Sequence, residues 1–370
     1  MTIWSRSVAI AVLVGLIAPQ FGGQTIPAGR LPALTYNIID LGTFGGFSSV
    51  ALGVNDKGQV VGSADTPQGL RHAYLWENGV MTDLGTLGFP TAQSEASDIN
   101  NQGVVVGIVG GGDPNRAFLW ANGVQTEIGP PQILKSAFGI NDAKQVVGIH
   151  VVAPIGDQHA FLWENGTLTD LGTLGGGYSI AWDINQSGQV VGKAFSMSAE
   201  RAFLWQNGVM SDLGTLGGSN AAAFGNNDMG EVVGQAATVD KSVNAFLWKD
   251  GVMTDLGALG GFDHSWAEAI NNDGVVVGAA SYSFVYDPQL GMRFLKDMIP
   301  PESGWSSLSP RAINNAGWIV GVGTGPAGRH AFLMTPATVI PTVSEYGAVV
   351  MTLLILTCGT ILIRGRRTAR

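Results

Sequence analysis

Short apolar runs recur along the chain, and glycine or asparagine separates almost every one of them from the next. The stretch HAFLWENGTLTDLGTLGG, residues 159–176, is the clearest instance. Its order of apolar and turn-forming residues predicts a strand, a tight turn, a second strand and a glycine-rich loop. No part of residues 36–336 sustains a helical stripe of apolar positions, so we predict an all-β fold.

Three markers, counted independently, each occur seven times at a mean spacing of about 43 residues. The first, Asn-x-x-Gly before a valine-rich triplet, starts at the lead asparagines Asn55, Asn100, Asn141, Asn185, Asn227, Asn271 and Asn314. The second, Asp-Leu-Gly or a variant, stands at Asp40, Asp83, Glu127, Asp170, Asp212, Asp255 and Asp297. The third, the AFLW strand, ends at Trp76, Trp120, Trp163, Trp205, Trp248, Tyr286 and Met334. This period is typical of propeller blades, so we predict a seven-bladed β-propeller.

Each period holds four candidate strands, named A to D in chain order. In the first copy they are residues 48–54, 59–62, 72–76 and 79–84. An Asn-Gly pair joins C to D in several copies, and it is the strongest short-range hairpin signal because a type I′ turn needs positive φ at both central residues. Strand C is apolar on both faces, which is expected of a blade packed between two neighbours.

The two ends of the repeat array complement each other. The strand at residues 35–42 carries the D marker but has no A, B or C before it, and the last copy has A, B and C but no D. We therefore predict that the N-terminal strand completes the last blade and closes the ring, which removes exposed sheet edges. An open solenoid, the alternative, would need capping repeats, and none is visible.

The recurring HAFLW-x-NG-x-x-x-DLGTLGG, followed by S-x-A-x-x-INxxGQVVG, resembles the extracellular HAF repeat family over residues 36–336. The sixth copy departs most from the pattern, because it loses both the Asn-Gly turn and the tryptophan. The resemblance implies an exported repeat protein and carries no catalytic residue.

Both termini predict export. Arg6 precedes an apolar run at residues 8–18 and a small, polar exit, so residues 1–23 are expected to be a secretory signal peptide. Residues 347–363 are uncharged and apolar, just long enough for a transmembrane helix. Four arginines follow, and the positive-inside rule leaves them cytoplasmic and the repeats outside. The four are Arg364, Arg366, Arg367 and Arg370.

Residues 340–370 resemble a PEP-CTERM sorting signal of the IPTL-CTERM type, with its short motif, apolar helix and arginine cluster. The motif residues are Ile340, Pro341, Thr342, Val343, Ser344, Glu345, Tyr346 and Gly347. The family usually has Leu and then Trp where this chain has Val343 and Tyr346. The resemblance implies an exosortase-like sorting enzyme as partner and a cell-envelope location; a plain single-pass anchor is the alternative.

Charge and cysteine content exclude several classes of function. Residues 24–336 hold 14 Lys and Arg against 27 Asp and Glu, and such an acidic body would repel nucleic acid. The one cysteine, Cys358, excludes an intrachain disulfide and lies in the apolar tail. The Asn-Asp turns lack the spacing of a calcium loop, and no nucleophile, zinc or phosphate-loop motif is present. We predict no metal and no cofactor.

Binding residues are expected where the repeats vary. The B–C stretches differ in length from copy to copy, and loops that vary on a rigid scaffold usually carry function. The ligand face should therefore hold the B–C and D–A loops. Candidates there are Trp266 and Trp305 for stacking on a ligand, and His72, His159 and His330 at the entry to strand C. For the histidines, a hydrogen bond within their own loop is the simpler interpretation.

These observations favour a non-enzymatic surface interaction or structural module that binds extracellular polysaccharide or another surface protein. The alternative is a propeller enzyme, a glycan hydrolase or lyase with its site in the axial funnel. That alternative predicts copy-specific charged residues in the sixth and seventh copies, where Asp287, Arg293 and Glu302 stand.

Overall fold

The structure is a computed structural model that describes residues 35–110, 115–130, 135–152, 156–261 and 264–337. The chain divides into two compact units, Met1–Ala33 and Leu34–Arg370, and every described residue belongs to the second. The predicted signal peptide (1–23) and sorting signal (340–370, with its helix at 347–363) lie outside the described residues. Within those residues, no helix has the length and apolarity needed to cross a bilayer.

The described residues form 28 strands and three short 3-10 turns. The strands are β1 (Tyr36–Asp40); β2 (Ser49–Val54), β3 (Val60–Asp65), β4 (Arg71–Glu77), β5 (Val80–Asp83); β6 (Gln93–Ile99), β7 (Val105–Gly110), β8 (Arg116–Ala121), β9 (Val124–Glu127); β10 (Lys135–Ile140), β11 (Val146–Val152), β12 (Asp157–Glu164), β13 (Thr167–Gly172); β14 (Gly175–Ile184), β15 (Val190–Ser196), β16 (Glu200–Gln206), β17 (Val209–Asp212); β18 (Gly217–Asn226), β19 (Val232–Thr238), β20 (Val243–Lys249), β21 (Val252–Gly257); β22 (Trp266–Ile270), β23 (Val276–Ala279), β24 (Ser283–Asp287), β25 (Gly291–Phe294); β26 (Ser307–Ile313), β27 (Ile319–Gly325) and β28 (Gly328–Pro336). The 3-10 turns are Leu259–Gly261, Leu295–Met298 and Pro301–Ser303.

Strands pair with their chain neighbours, antiparallel, in the predicted order A-B-C-D. Five sheets have four strands each, and one has eight. The eight-stranded sheet divides into β10–β13 and β14–β17, which a single parallel bridge between Gln158 and Tyr178 joins. The described strands therefore fall into seven groups of four, and we number the resulting sheets one to seven from β2–β5 onward.

Strand β1 completes the seventh sheet. It pairs antiparallel with β28 from Tyr36 opposite Pro336 to Asp40 opposite Phe332, so the sheet has the order β1-β28-β27-β26. The prediction that the first strand supplies the missing D strand of the last copy is confirmed. The backbone N–H of Ala337 also donates to the carbonyl oxygen of Thr35 at 2.8 Å, so the two ends of the described body lie side by side.

The lead asparagines link all seven sheets. The side-chain amide of each donates to the backbone carbonyl oxygen of the lead asparagine in the next copy, at 2.9–3.2 Å. The order is Asn55, Asn100, Asn141, Asn185, Asn227, Asn271, Asn314 and back to Asn55. The cycle is closed, which places strand A of every sheet around one axis.

The core lies between adjacent sheets. One hydrophobic cluster combines Val61 and Leu75 of the first sheet with Ala96 and Phe118 of the second, and the other clusters repeat this composition around the ring. Each sheet is thus buried on both faces, as the apolar strand C predicts. The glycine of the valine-rich triplet lets A and B approach closely: a Cβ on Gly62 would lie 2.0 Å from the carbonyl oxygen of Val50.

Turn geometry follows the turn residues. Asn78 and Gly79 have φ of 50° and 86°, as the predicted type I′ hairpin requires. The A–B turn places its fourth residue at positive φ, and glycine occupies that place in six copies. In the third copy Lys144 takes it, with φ 62°.

Candidate functional site

The entry residue of strand C forms a polar contact with the acid that ends strand D of the same sheet. His72, His159 and His330 bind Asp83, Asp170 and Asp40 through Nδ1 at 2.8–2.9 Å. Arginine or asparagine does the same in three other copies, as Arg116–Glu127, Arg201–Asp212 and Asn244–Asp255. The three candidate histidines thus lie on different sheets, each bound to the strand D acid of its own sheet. No group of three His, Cys, Asp or Glu side chains suited to a metal occurs among the described residues.

The same acids also order the loop that follows. Asp83 Oδ1 accepts a hydrogen bond from the N–H of Gly85 at 2.8 Å, and the equivalent bond recurs at Asp40, Asp170, Asp212 and Asp255. The Asp-Leu-Gly acid is therefore a strand-end residue that satisfies loop backbone, as the sequence favours.

The loop ends of the sixth and seventh sheets enclose a cleft of about 570 Å³, which we call the sixth-sheet cleft. It lies where strand A begins, B ends, C begins and D ends, which is the predicted ligand face. Its lining is Trp266, Ala279, Ala280, Ser281, Tyr282, Ser283, Phe294, Lys296, Asp297, Ser306, Ser307, Leu308 and Ser309. Aromatic residues, five serines and one charged residue of each sign therefore line a common space.

Trp266 is the candidate tryptophan that lines this cleft. It is half-buried at the start of β22, and its indole N–H donates to Glu268 Oε1 at 2.9 Å. Arg311 Nη1 donates to the same oxygen at 2.8 Å. This pair of bonds holds the ring, since the indole cannot swing away without breaking a charge-assisted hydrogen bond. Tyr282, in the same lining, is 63% exposed and packs edge-on against Phe294 at 5.8 Å.

The structure does not favour the prediction that Trp305 stacks on a ligand, because it buries the side chain. Only 5% of Trp305 is exposed, and its ring meets Phe332 edge-on at 5.8 Å. Gly323 and Gly325 form its floor: a Cβ on either would lie 2.9 Å from the indole. The sequence places Trp305 in a D–A loop but does not show that this loop folds inward.

Of the three charged residues expected together at the ligand face, two lie at the opposite face and only Glu302 lies apart from them. Asp287 and Arg293 line a cavity of about 440 Å³ beside Tyr36 and Pro336, at the opposite, turn end of the sheets. The Arg293 Nε is buried there with no hydrogen-bond partner among the described residues. Glu302 is exposed in the 3-10 turn Pro301–Ser303. Asp287 ends strand C and Arg293 lies on strand D, whereas Glu302 lies in the loop that follows strand D.

A third cavity of about 260 Å³, the axial funnel, follows the axis and is lined by strand A of all seven sheets. The position three residues before each lead asparagine contributes Leu52, Ser97, Phe138, Trp182, Phe224, Glu268 and Arg311. Small residues occupy the next position except in the second and fourth copies, which carry Asp98 and Asp183. Neither acid was predicted from the sequence to be functional. Both differ from the Gly or Ala that the other five copies have at this position, and this difference could have identified them.

Each of these carboxylates joins two sheets. Asp98 accepts hydrogen bonds from the N–H groups of Ile99 and Ile140, and Asp183 from those of Ile184 and Asn226, all at 2.8–2.9 Å. Burial raises the pKa of Asp98 to about 7; the nearby charge of Asp183 adds to the rise, and the two backbone hydrogen bonds oppose it. Burial likewise raises the pKa of Asp183.

A buried serine in strand A ties the D–A loop to the preceding sheet, a contact that the sequence did not suggest. Ser94 Oγ accepts from the N–H of Ala73 at 2.9 Å and donates to the carbonyl oxygen of Gly85 at 2.7 Å. The same pair of bonds recurs at Ser49, Ser179 and Ser265. In the third copy a buried Lys135 stands in this place and binds Glu127 at 3.0 Å.

No protein-family model and no curated protein matches the sequence. Among solved structures, a puromycin-hydrolyzing peptidase of Mycobacterium tuberculosis aligns with a TM-score of 0.54 at 12% identity, over 80% of this chain and 54% of the peptidase. This chain thus spans about half the length of that peptidase. YCF48 bound to D1 peptide aligns at TM-score 0.49 and 12% identity, over 84% of this chain and 98% of that one. The SapL1 lectin in complex with alpha methyl fucoside aligns at 0.38 and 14%, over 80% and 98%. At these identities the likeness concerns the fold alone, which is all-β and propeller-like.

Proposed function

We propose that the described sheets form a closed seven-bladed β-propeller. The seven four-stranded groups, the pairing of β1 with β28 and the closed cycle of lead asparagines all support this architecture. An experimental structure of the chain with another number of blades, or with an open array, would contradict it.

This propeller serves as a non-enzymatic surface module that binds extracellular polysaccharide in the sixth-sheet cleft. The observation that carries the proposal is the cleft lining itself: Trp266, Tyr282 and five serines, where the sixth copy, which departs most from the repeat pattern, meets the seventh. A sugar ring has an apolar face that buries well against an aromatic ring and hydroxyls that pair with polar side chains. Concave sites with aromatic walls and a few convergent polar groups are the usual form of ligand pockets.

Lys296 and Asp297 balance each other in the cleft, and Arg311 neutralises Glu268 behind Trp266. The cleft therefore has no strong preference for a charged ligand. A neutral, polyhydroxylated chain fits this balance better than a uronic-acid polymer or a nucleic acid.

A glycan array probed with the full-length chain tests the proposal. Trp266→Ala and Tyr282→Ala should each weaken binding by about tenfold or more, because each removes a stacking face. Trp266→Phe keeps an aromatic face and loses only the bond to Glu268, so it should retain most of the affinity. Phe47→Ala is the matched control, since Phe47 is 91% exposed on the same face but lies in the loop before the first sheet. Absence of binding to any envelope or matrix glycan would refute the proposal.

The module is exported and anchored in the cell envelope. In support, residues 1–23 have the pattern of a signal peptide and residues 340–370 that of a sorting signal. The described body ends at Thr35 and Ala337, beside the A–B turn of the seventh copy, so a tether at this end leaves the sixth-sheet cleft facing outward. An exosortase-like enzyme would process residues 340–347 at the membrane. Cell fractionation and mass spectrometry of the mature C-terminus test this, and a soluble cytoplasmic chain with an intact N-terminus would contradict it.

The alternative function is a glycan hydrolase or lyase acting in the axial funnel. The observation in its favour is Asp98, whose raised pKa would keep a carboxyl protonated near neutrality, as a general acid requires. Both oxygens of each funnel acid are already engaged by backbone N–H groups, which favours a structural role. Turnover of a polysaccharide panel that is lost in Asp98→Asn would establish the enzyme and displace the binding module.

A further inference from the structure

The cavity of about 440 Å³ that Asp287 and Arg293 line, here called the closure cavity, lies between the sixth and seventh sheets at their turn end. Val285, Asp287 and Arg293 share one face of the sixth sheet, because Val285 pairs directly with Arg293 and Asp287 follows two residues later. The seventh sheet contributes Tyr36 and Pro336, the pair that begins β1 and ends β28. These two strands come from opposite ends of the described body, so the cavity lies where the ring closes and no C–D turn is present.

Arg293 is specific to the sixth copy. At the equivalent place in strand D, the other six sheets carry Thr82, Thr126, Thr169, Ser211, Thr254 and Ile39. Among the described residues the Arg293 guanidinium forms no ion pair, and its Nε is buried without a hydrogen-bond partner. A charged donor without an acceptor is costly, and a ligand that brings an anionic oxygen would remove that cost.

Asp287 is a second charge in the same cavity that has no counter-ion. Its Oδ1 accepts hydrogen bonds from the N–H groups of Gln289 at 2.7 Å and Leu290 at 3.1 Å, and the carboxylate forms no ion pair within the described part of the chain. Burial raises the pKa of Tyr36, while the charge of Arg293 opposes the rise and that of Asp287 adds to it. Both charges therefore act on the same phenol, yet they do not pair with each other.

The rest of the lining supplies apolar surface and one further acid. Val275, Val285, Pro288, Met298 and Pro336 are the apolar residues with larger side chains. Asp273 is the remaining charged residue of this lining, and it is exposed in the A–B turn of the sixth copy. With two acids and one guanidinium, the cavity disfavours a ligand that is only an anion. A ligand that carries an ammonium group beside its carboxylate matches both signs of charge.

From this arrangement we propose that the closure cavity binds a free amino acid with an apolar side chain. Arg293 binds the carboxylate, since a planar guanidinium can donate two parallel hydrogen bonds to it. Asp287 binds the ammonium group, and the apolar lining covers the side chain of the ligand. The volume of about 440 Å³ lies within the range of small-molecule pockets. This site lies at the opposite face from the sixth-sheet cleft and does not depend on glycan binding there.

The test is a calorimetric titration of the full-length chain with L-leucine, N-acetyl-L-leucine and L-leucinamide. The first carries both charges, the second lacks the ammonium group and the third lacks the carboxylate. Saturable binding of leucine is expected, with each derivative weaker by about tenfold or more, because each leaves one charge of the cavity unpaired. Equal binding of leucine and either derivative, or no saturation by leucine, would overturn the proposal.

Two variants separate the two ends of the ligand. Arg293→Thr installs the residue of most other copies and should weaken leucine binding by about tenfold or more, with the fold checked by circular dichroism. Asp287→Asn keeps the oxygen that accepts the two turn hydrogen bonds but loses the charge. It should weaken leucine binding severalfold and so narrow the advantage of leucine over N-acetyl-leucine.

Arg329→Thr is the matched control, because Arg329 is an exposed arginine of β28 that lies outside the closure cavity. It should leave leucine binding unchanged. Equal losses in Arg329→Thr and Arg293→Thr, or full leucine affinity in Asp287→Asn, would contradict the assigned roles and overturn the proposal.

Discussion

The side-chain amide of Asn314 donates a hydrogen bond to the backbone carbonyl oxygen of Asn55, 259 positions earlier in the chain, at 2.9 Å. The Oδ1 of Asn314 meanwhile accepts from the N–H groups of Ala316 and Trp318 in its own turn. One side chain therefore both shapes a local turn and closes the cycle of seven sheets. Because both partners are buried, loss of the donor leaves the carbonyl oxygen of Asn55 unsatisfied.

Replacing Asn314 by Asp should lower the free energy of unfolding by about 1–3 kcal/mol. One carboxylate oxygen still accepts the two hydrogen bonds of the turn. The other oxygen replaces the amide donor and faces the carbonyl oxygen of Asn55, which is also an acceptor. Urea denaturation followed by tryptophan fluorescence measures the loss. Asn185→Asp makes the same change within the array and is the comparison; if neither variant differs from the parent, the asparagine cycle does not contribute to stability.

Lys144→Gly should stabilise the protein by about 1 kcal/mol. Lys144 holds φ 62° in a turn where the other six copies have glycine, and a left-handed conformation is costly for a residue with a Cβ. The converse change, Gly188→Ala at φ 74° in the next copy, should destabilise by a similar amount. Thermal melts of the two variants check the pair, and a shift in the same direction for both would contradict the argument.

Trp305→Ala and Trp266→Ala should separate stability from binding. The first empties a core position against Phe332 and should cost about 3–5 kcal/mol of unfolding free energy. The second removes a half-buried ring and should cost much less, while it weakens glycan binding. Denaturation curves and array binding on the same two preparations decide this; a stable Trp305→Ala variant would mean that the indole is not part of the core.

Stability should fall as pH rises from about 4 to about 7 through the titration of Asp98. Its folded pKa of about 7 lies above the unfolded value near 3.9, so the folded state binds the proton more tightly. The stabilising contribution is therefore fully present below the unfolded pKa and lost once the pH exceeds the folded one. The expected change is about 1–4 kcal/mol.

Asp98→Asn removes this titration and isolates it from other groups, including His150, whose pKa burial lowers and whose effect has the opposite sign. The difference in unfolding free energy between parent and variant, measured at several pH values, should change across this window. A pH-independent difference would show that Asp98 is ionised throughout.

Strands and turns were predictable because their causes are local. Asn78-Gly79 specifies a hairpin through two backbone angles, and the paired valines of strand B mark a segment buried on both faces. The pairing of β1 with β28 was also predictable, since it follows from counting which copy lacks a strand. These features need only neighbouring residues or the order of the repeats.

The site was less predictable. Trp266 and Trp305 both belong to D–A regions, yet one lines the sixth-sheet cleft and the other is core, because only Trp305 faces a glycine floor on the seventh sheet. The pair of funnel acids, Asp98 and Asp183, stands two repeats apart and meets only around the axis. No pattern within one repeat shows that these positions converge.

The amino-acid order alone therefore determined an all-β chain, its period and its turns, since each depends on the conformational preferences of adjacent residues. Tertiary packing decided which copy-specific side chains share a space. The reason is that a repeat places equivalent residues at equivalent positions, and contacts such as Asn314 with Asn55 or Trp305 with Gly323 exist only once the sheets meet. In this protein the conformational preferences of adjacent residues account for the scaffold. Residues that depart from the repeat pattern line the cavities, because the arrangement of the sheets brings them together.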